Sequence, residues 1–129
     1  MKKTILTLLF GVVLSGALFA QNNTPVPLFK TTIHNFGTVK EGGKISCSFE
    51  VANIGKVPLK INDAQASCGC TKPTITENLV LPSKSSIINV TYDTNERPGN
   101  FSKTIRVYTN VPDTVYELYI KGSVTPKQR

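Results

Sequence analysis

Ile45-Ser46-Cys47-Ser48-Phe49-Glu50-Val51 puts apolar side chains at odd positions and polar ones at even positions. That period of two belongs to a strand with one face on a core and the other in water. Wound as a helix, the same residues would scatter their apolar groups around the whole circumference. The pattern recurs along the chain. Phe29, Thr31 and Ile33 alternate with Lys30, Thr32 and His34, and Val57, Leu59 and Ile61 with Lys60 and Asn62. Ile88, Val90 and Tyr92 form another row, as do Ile105 with Val107, and Tyr116, Leu118, Ile120 and Val124. Past the N-terminal twenty residues, no segment keeps a period of 3.6.

Turn residues fall between these rows. Gly42-Gly43, Asn53-Ile54-Gly55 with Pro58, Pro82-Ser83, Arg97-Pro98-Gly99 and Val111-Pro112-Asp113 all punctuate the chain. No proline interrupts a row, as sheet hydrogen bonding requires. Six clear strands and a weaker one around 74–81 predict an all-β protein, an immunoglobulin-like β-sandwich of about seven strands. Tryptophan is absent and the cysteines lack the long antibody spacing, so the likeness is one of architecture. With strands ordered as in such sandwiches, one pole gathers Phe36-Gly37, Glu41 to Lys44, Cys68 to Thr71, and Glu96 to Asn100. The final strand, 115–124, is expected at a sheet edge.

The N-terminus carries Lys2 and Lys3, an apolar run from Ile5 to Phe19, and then Ala20 before Gln21-Asn22-Asn23. This reads as a signal peptide over residues 1–20. The alternative is an uncleaved anchor, for which the run is short against the roughly 20 residues of a spanning helix. No later stretch is long enough to insert stably in a membrane after cleavage. The expected destination is export, to the periplasm or to the cell surface and beyond. Residues 21–27 read as a flexible lead-in and residues 28–125 as one domain. Losing Lys2 and Lys3 lowers the net charge from +7 to +5. The remaining basic residues are dispersed without interleaved aromatics, which excludes nucleic acid as the expected partner.

The residues with chemical potential are Cys68-Gly69-Cys70, directly after a strand-like segment. Three readings stand beside each other. A disulfide between the two would close a very small, easily reduced ring, with Gly69 supplying unusual torsions. Two thiolates could hold Cu(I), or half of a Zn(II) site with His34 as a further ligand. Or the role is structural: the pair ends its strand in a tight turn with one sulfur packed as a small hydrophobe, or, in a related form, Cys47 bridges to Cys68 or Cys70 across the sheets. With three cysteines, one stays unpaired in a disulfide-bonded monomer, and Cys47 on its apolar face is the expected silent thiol. Asn53, Gly55 and Asn110 read as turn stabilisers, and Phe36-Gly37 as a core plug before a tight turn. No triad, His-Glu metal motif or phosphate loop occurs, and the eight acids are scattered.

Several strings occur in order along nearly all of residues 28–124. They are His34-Asn35-Phe36-Gly37-x-Val39-x-Glu41-Gly42, Phe49-x-Val51-x-Asn53-x-Gly55-x-x-Pro58-Leu59-x-Ile61, Ser67-Cys68-Gly69-Cys70-Thr71, Gly99-x-Phe101 and Thr109-Asn110. Together they resemble the bacterial domain-of-unknown-function family 1573. The resemblance implies an exported immunoglobulin-like fold, akin to major-sperm-protein and pilus-chaperone sandwiches, with no established activity. Asn35 stands where that family commonly has aspartate, and Leu81-Pro82-Ser83 lacks its glycine after proline. The expectation is an exported, non-enzymatic interaction or envelope-structural module with an envelope protein as partner and no cofactor. The alternative is a metal-binding or redox protein centred on Cys68 and Cys70.

Overall fold

The computed structural model describes residues 11, 16 and 23–128. The signal-peptide expectation therefore lies outside the described residues. Nine strands follow in order: β1 (Pro27–Phe29), β2 (Ile33–Lys40), β3 (Lys44–Asn53), β4 (Leu59–Ala66), β5 (Thr71–Ile75), β6 (Leu79–Val80), β7 (Ser85–Asp93), β8 (Gly99–Thr109) and β9 (Val115–Thr125). They form a four-stranded sheet, β1-β3-β7-β5, facing a five-stranded sheet, β2-β9-β8-β4-β6. Among the described residues there is no helix, and none is long and apolar enough to cross a membrane.

The alternating rows become the core. Phe49, Val51, Ile88, Val90 and Tyr92 point inward from the first sheet, and Leu59, Ile61, Ile105, Val107, Leu118 and Ile120 from the second. Burying each large side chain contributes about 1.5–3 kcal/mol relative to leaving it in water. The inward row of β9 skips Gly122, where the Phe101 ring fills the gap. A Cβ there would come within 2.9 Å of that ring and of the Gly37 carbonyl.

The strand count exceeds seven because two stretches change sheets. Phe29–His34 is not one strand: β1 pairs antiparallel with β3, the chain leaves at Lys30, and β2 pairs parallel with β9. The weak strand around 74–81 divides likewise into β5, beside β7, and β6, beside β4. Pro73 lies inside β5 and is tolerated because β5 is an edge. Thr76 donates its N–H to Ile87 O and Cys70 O accepts from Asp93 N–H, so even-numbered residues face β7 and the Pro73 nitrogen faces away. Parallel pairing of β2 also corrects the edge assignment. β9 lies between β2 and β8, and the edges of this sheet are β2 and the two-residue β6. The lead-in is tied down at its end, where Val26 O accepts the Ile54 N–H at 2.9 Å and Pro27 begins β1.

Asn53 closes the pole opposite the cysteines. It is fully buried, donates Nδ2 to Val57 O at 2.8 Å and Val80 O at 2.9 Å, and accepts Gly55 N–H on Oδ1 at 3.0 Å. Gly55 must lack a side chain, since a Cβ would lie 2.8 Å from the Val26 nitrogen. Nearby, Ser83 sits at φ +68° while donating its N–H to Asn53 O. A left-handed torsion there explains a preference for glycine at this position.

Asn53→Ala strands buried carbonyls and an amide, and it should cost about 3 kcal/mol in urea unfolding. Ser83→Gly relieves the torsion and should stabilise by about 1 kcal/mol. A neutral Asn53→Ala would contradict the buried bridge, and a destabilising Ser83→Gly would contradict the turn.

Candidate functional site

The cysteine loop is the crossing from β4 to β5, hence from the five-stranded to the four-stranded sheet. Backbone bonds anchor both ends. Ser67 donates its N–H to Thr104 O at 2.9 Å, and Thr104 N–H returns to Ser67 Oγ at 3.2 Å. On the far side Asp93 N–H reaches Cys70 O at 2.9 Å, and Thr71 N–H closes a turn onto Cys68 O at 3.3 Å. Within the loop Cys68 and Cys70 form a disulfide, with Cα atoms 5.3 Å apart. The Cys70 N–H donates to Cys68 Sγ at 3.2 Å. Thr71 Oγ1 lies 3.7 Å from the Cys68 sulfur and 3.6 Å from that of Cys70. Cys70 is buried and Cys68 half-buried. Lys44, Lys72, Thr91 and Asp93 line a small depression together with Gly69 and Cys70.

Gly69 does not serve the torsional role expected of it. Its φ lies outside the left-handed region, and a Cβ would meet nothing within 4 Å. Cys47 is not a disulfide partner. It is a free, buried thiol on β3, while Cys70 leads into β5 of the same sheet, two strands away across β7. Two strand spacings span about 9.5 Å, beyond the roughly 7 Å limit for a bridge. Burial pushes the Cys47 thiol up from 9.0 to about 11.

His34 does not join the sulfurs. It pairs with Ile120 on β2, three strands from β4 in the same sheet, and its ring meets Phe36 edge-on at 4.5 Å. Among the described residues, no three His, Cys, Asp or Glu side chains converge as a metal site would require. Phe36 and Gly37 lie within β2, where the ladder slips one register, so they mark a bulge and not a tight turn. Gly37 takes φ +69° and donates its N–H to Asn35 Oδ1 at 2.9 Å. An aspartate oxygen could accept the same bond. Asn110 accepts Lys60 N–H at 2.8 Å and donates to Pro58 O at 3.1 Å. It thereby fastens the β8–β9 turn to the start of β4.

Sequence reasoning missed Thr94. Fully buried, its hydroxyl accepts Gly42 and Gly43 N–H at 3.1 Å and donates to Gly43 O at 2.6 Å. This clamp joins the β2–β3 and β7–β8 turns beside the cysteine loop. A threonine just past a strand gives no sign of a long-range partner. Also missed was a polar depression on the outer face of the second sheet. There register aligns Gln65, Arg106 and Glu117 beside Ser67, Thr104 and Tyr108. Arg106 Nε lies 3.5 Å from Glu117 Oε1, and Tyr119 donates its hydroxyl to the same carboxylate.

Two facing antiparallel-rich sheets with a parallel first edge define an immunoglobulin-like sandwich. The chain belongs to the family described as protein of unknown function DUF1573, which matches residues 28–124. No curated protein matches it. A protein of unknown function from Porphyromonas gingivalis W83 is 16% identical with a TM-score of 0.71, covering 84% of this chain and 51% of that one. This chain thus spans about half the length of that protein. The ASH/PapD-like domain 7 of human CEP192 is 9% identical at TM-score 0.68, covering 82% of this chain and 89% of the other. The Vibrio cholerae VesB protease matches at 13% identity and TM-score 0.58, over 80% of this chain but only 32% of its own. At such identities the likeness concerns the fold.

The thiols should count in three classes. Native protein should show no thiol reactive at pH 8, mild reduction should release two, and reduction in denaturant should release three. A Cys47 thiol released under native conditions would contradict its burial. The folded thiol holds its proton above the unfolded pKa, so its stability contribution is full below pH 9 and is lost as pH rises from 9 to 11. Over that window Cys47 alone should remove about 2–3 kcal/mol, and Cys47→Ala should flatten the decline. An equally steep decline in the variant would contradict this.

Proposed function

We propose that this chain is an exported, non-enzymatic interaction module of the cell envelope, binding a partner protein through the open edge of β2. The observation that carries this reading is the unpaired side of an eight-residue strand. Thr32 O accepts Tyr119 N–H at 2.8 Å, so even-numbered residues at the start of β2 bond inward. The amides of Ile33 and Asn35 then point away from the sheet. An extended peptide could add a strand there, with main-chain bonds giving affinity and alternate side chains giving specificity. The Lys2-Lys3 and Ile5–Phe19 pattern supports export. A single histidine, packed on Phe36, supports the non-enzymatic reading.

Ile33→Pro tests it. Ile33 is 55% exposed and begins β2, so proline removes an outward donor without touching the ladder. Immobilised protein should capture an envelope partner, and the variant, still folded by circular dichroism, should hold it about tenfold more weakly. Equal retention by the variant, or no specific partner, would overturn the proposal.

A further inference from the structure

We infer that Cys68 and Cys70 are a thiol–disulfide exchange site that takes a protein or peptide dithiol as its reaction partner. This does not depend on the β2 edge. The bridge spans two positions in sequence, so it constrains the unfolded chain little and contributes little stability in the chain-entropy account. It also joins nothing that is otherwise loose. The Ser67–Thr104 pair, the Asp93–Cys70 bond and the Thr71–Cys68 turn hold the loop through backbone and hydroxyl groups, without using the sulfurs. A disulfide that adds little to an anchored loop is suited to being opened and closed.

The surroundings fit sulfur chemistry. A thiolate is both the nucleophile and the leaving group in exchange, and hydrogen-bond donors stabilise it. Cys68 Sγ already receives the Cys70 N–H, and the Thr71 hydroxyl lies near both sulfurs. Lys44 and Lys72 border the depression beside Cys70 together with the Asp93 carboxylate, two positive charges against one negative. Gly69 needs its glycine neither for torsion nor for space. Its lack of a side chain leaves the loop tip bare for an approaching partner. Cys47, buried and protonated, stays out of the exchange.

In the reaction a partner thiolate attacks Cys68 Sγ, the more exposed sulfur. The Cys68–Cys70 bond breaks, a mixed disulfide forms, and Cys70 leaves as a thiolate that takes a proton from water. The partner's second thiolate then attacks its own sulfur in the mixed disulfide and releases Cys68 as a thiolate, which is protonated. The partner dithiol is oxidised to a disulfide by two electrons, and the Cys68–Cys70 bridge is reduced to two thiols. In reverse, the reduced pair opens a partner disulfide.

The test uses the whole exported protein with dithiothreitol as the dithiol, followed by alkylation and peptide mass spectrometry. Native wild type should be reduced at Cys68 and Cys70 within minutes by millimolar dithiothreitol, with an unchanged far-ultraviolet spectrum, and oxidised glutathione should re-form the same bridge. Cys70→Ser should trap glutathione on Cys68 at least tenfold faster than Cys68→Ser traps it on Cys70. A bridge that opens only when the protein unfolds would overturn the inference. So would thiols that glutathione disulfide cannot reconnect, or equal trapping rates in the two variants. The wild-type experiment stands if a variant fails to fold.

Discussion

Burial of facing apolar rows is the constraint on which the rest depends. β3 and β7 supply Phe49, Val51, Ile88, Val90 and Tyr92, and β4, β8 and β9 answer with Leu59, Ile61, Ile105, Val107, Leu118 and Ile120. Period-two alternation makes each strand two-faced, and a two-faced strand is stable only when its apolar side meets another sheet. The ring of Phe101, stacked on Tyr92 at 4.1 Å, continues this contact toward the cysteine pole. Polar clamps then close the ends, Thr94 beside the cysteines and Asn53 at the opposite pole. Each clamp satisfies backbone groups that the turns would otherwise bury unpaired.

Crossings between the two layers create the features with functional interest. Leaving the first sheet at Lys30 lets β2 run parallel to β9, which leaves an open side. Crossing back after Ser67 puts two sulfurs in an anchored loop at the rim of the core, Cys70 buried and Cys68 half-buried. The edge favours an extended peptide and the loop a thiol. Both proposed partners are proteins, but they would approach different parts of the molecule.

Much of this was legible in the chain. The rows at 45–51, 88–92 and 116–124 specified strands, facing and the sandwich, because burial enforces a two-residue register. The breaks inside 29–34 and 74–81 were not legible. A change of sheet keeps the alternation on both sides and alters only the neighbour. Parallel placement of β2 was hidden for the same reason, so β9 read as an edge. Of the site, the closeness of Cys68 and Cys70 was written in their spacing, whereas His34 and Cys47 could not be located without strand order. Thr94 and Asn53 act through partners 51 and 27 residues away, and no local pattern encodes such distances.

Residue-resolved amide hydrogen exchange on the native protein tests the central claim most directly. The stretches with a neighbour on both sides, Ile88–Tyr92 of β7, Ile105–Tyr108 of β8 and Tyr119–Lys121 of β9, should be protected at every residue and should open only with global unfolding. In β2, His34 and Phe36 should exchange slowly while Ile33 and Asn35 exchange rapidly. Alternating protection at Tyr119–Lys121 of β9, with β2 unprotected throughout, would contradict both the parallel pairing and the layered arrangement that rests on it.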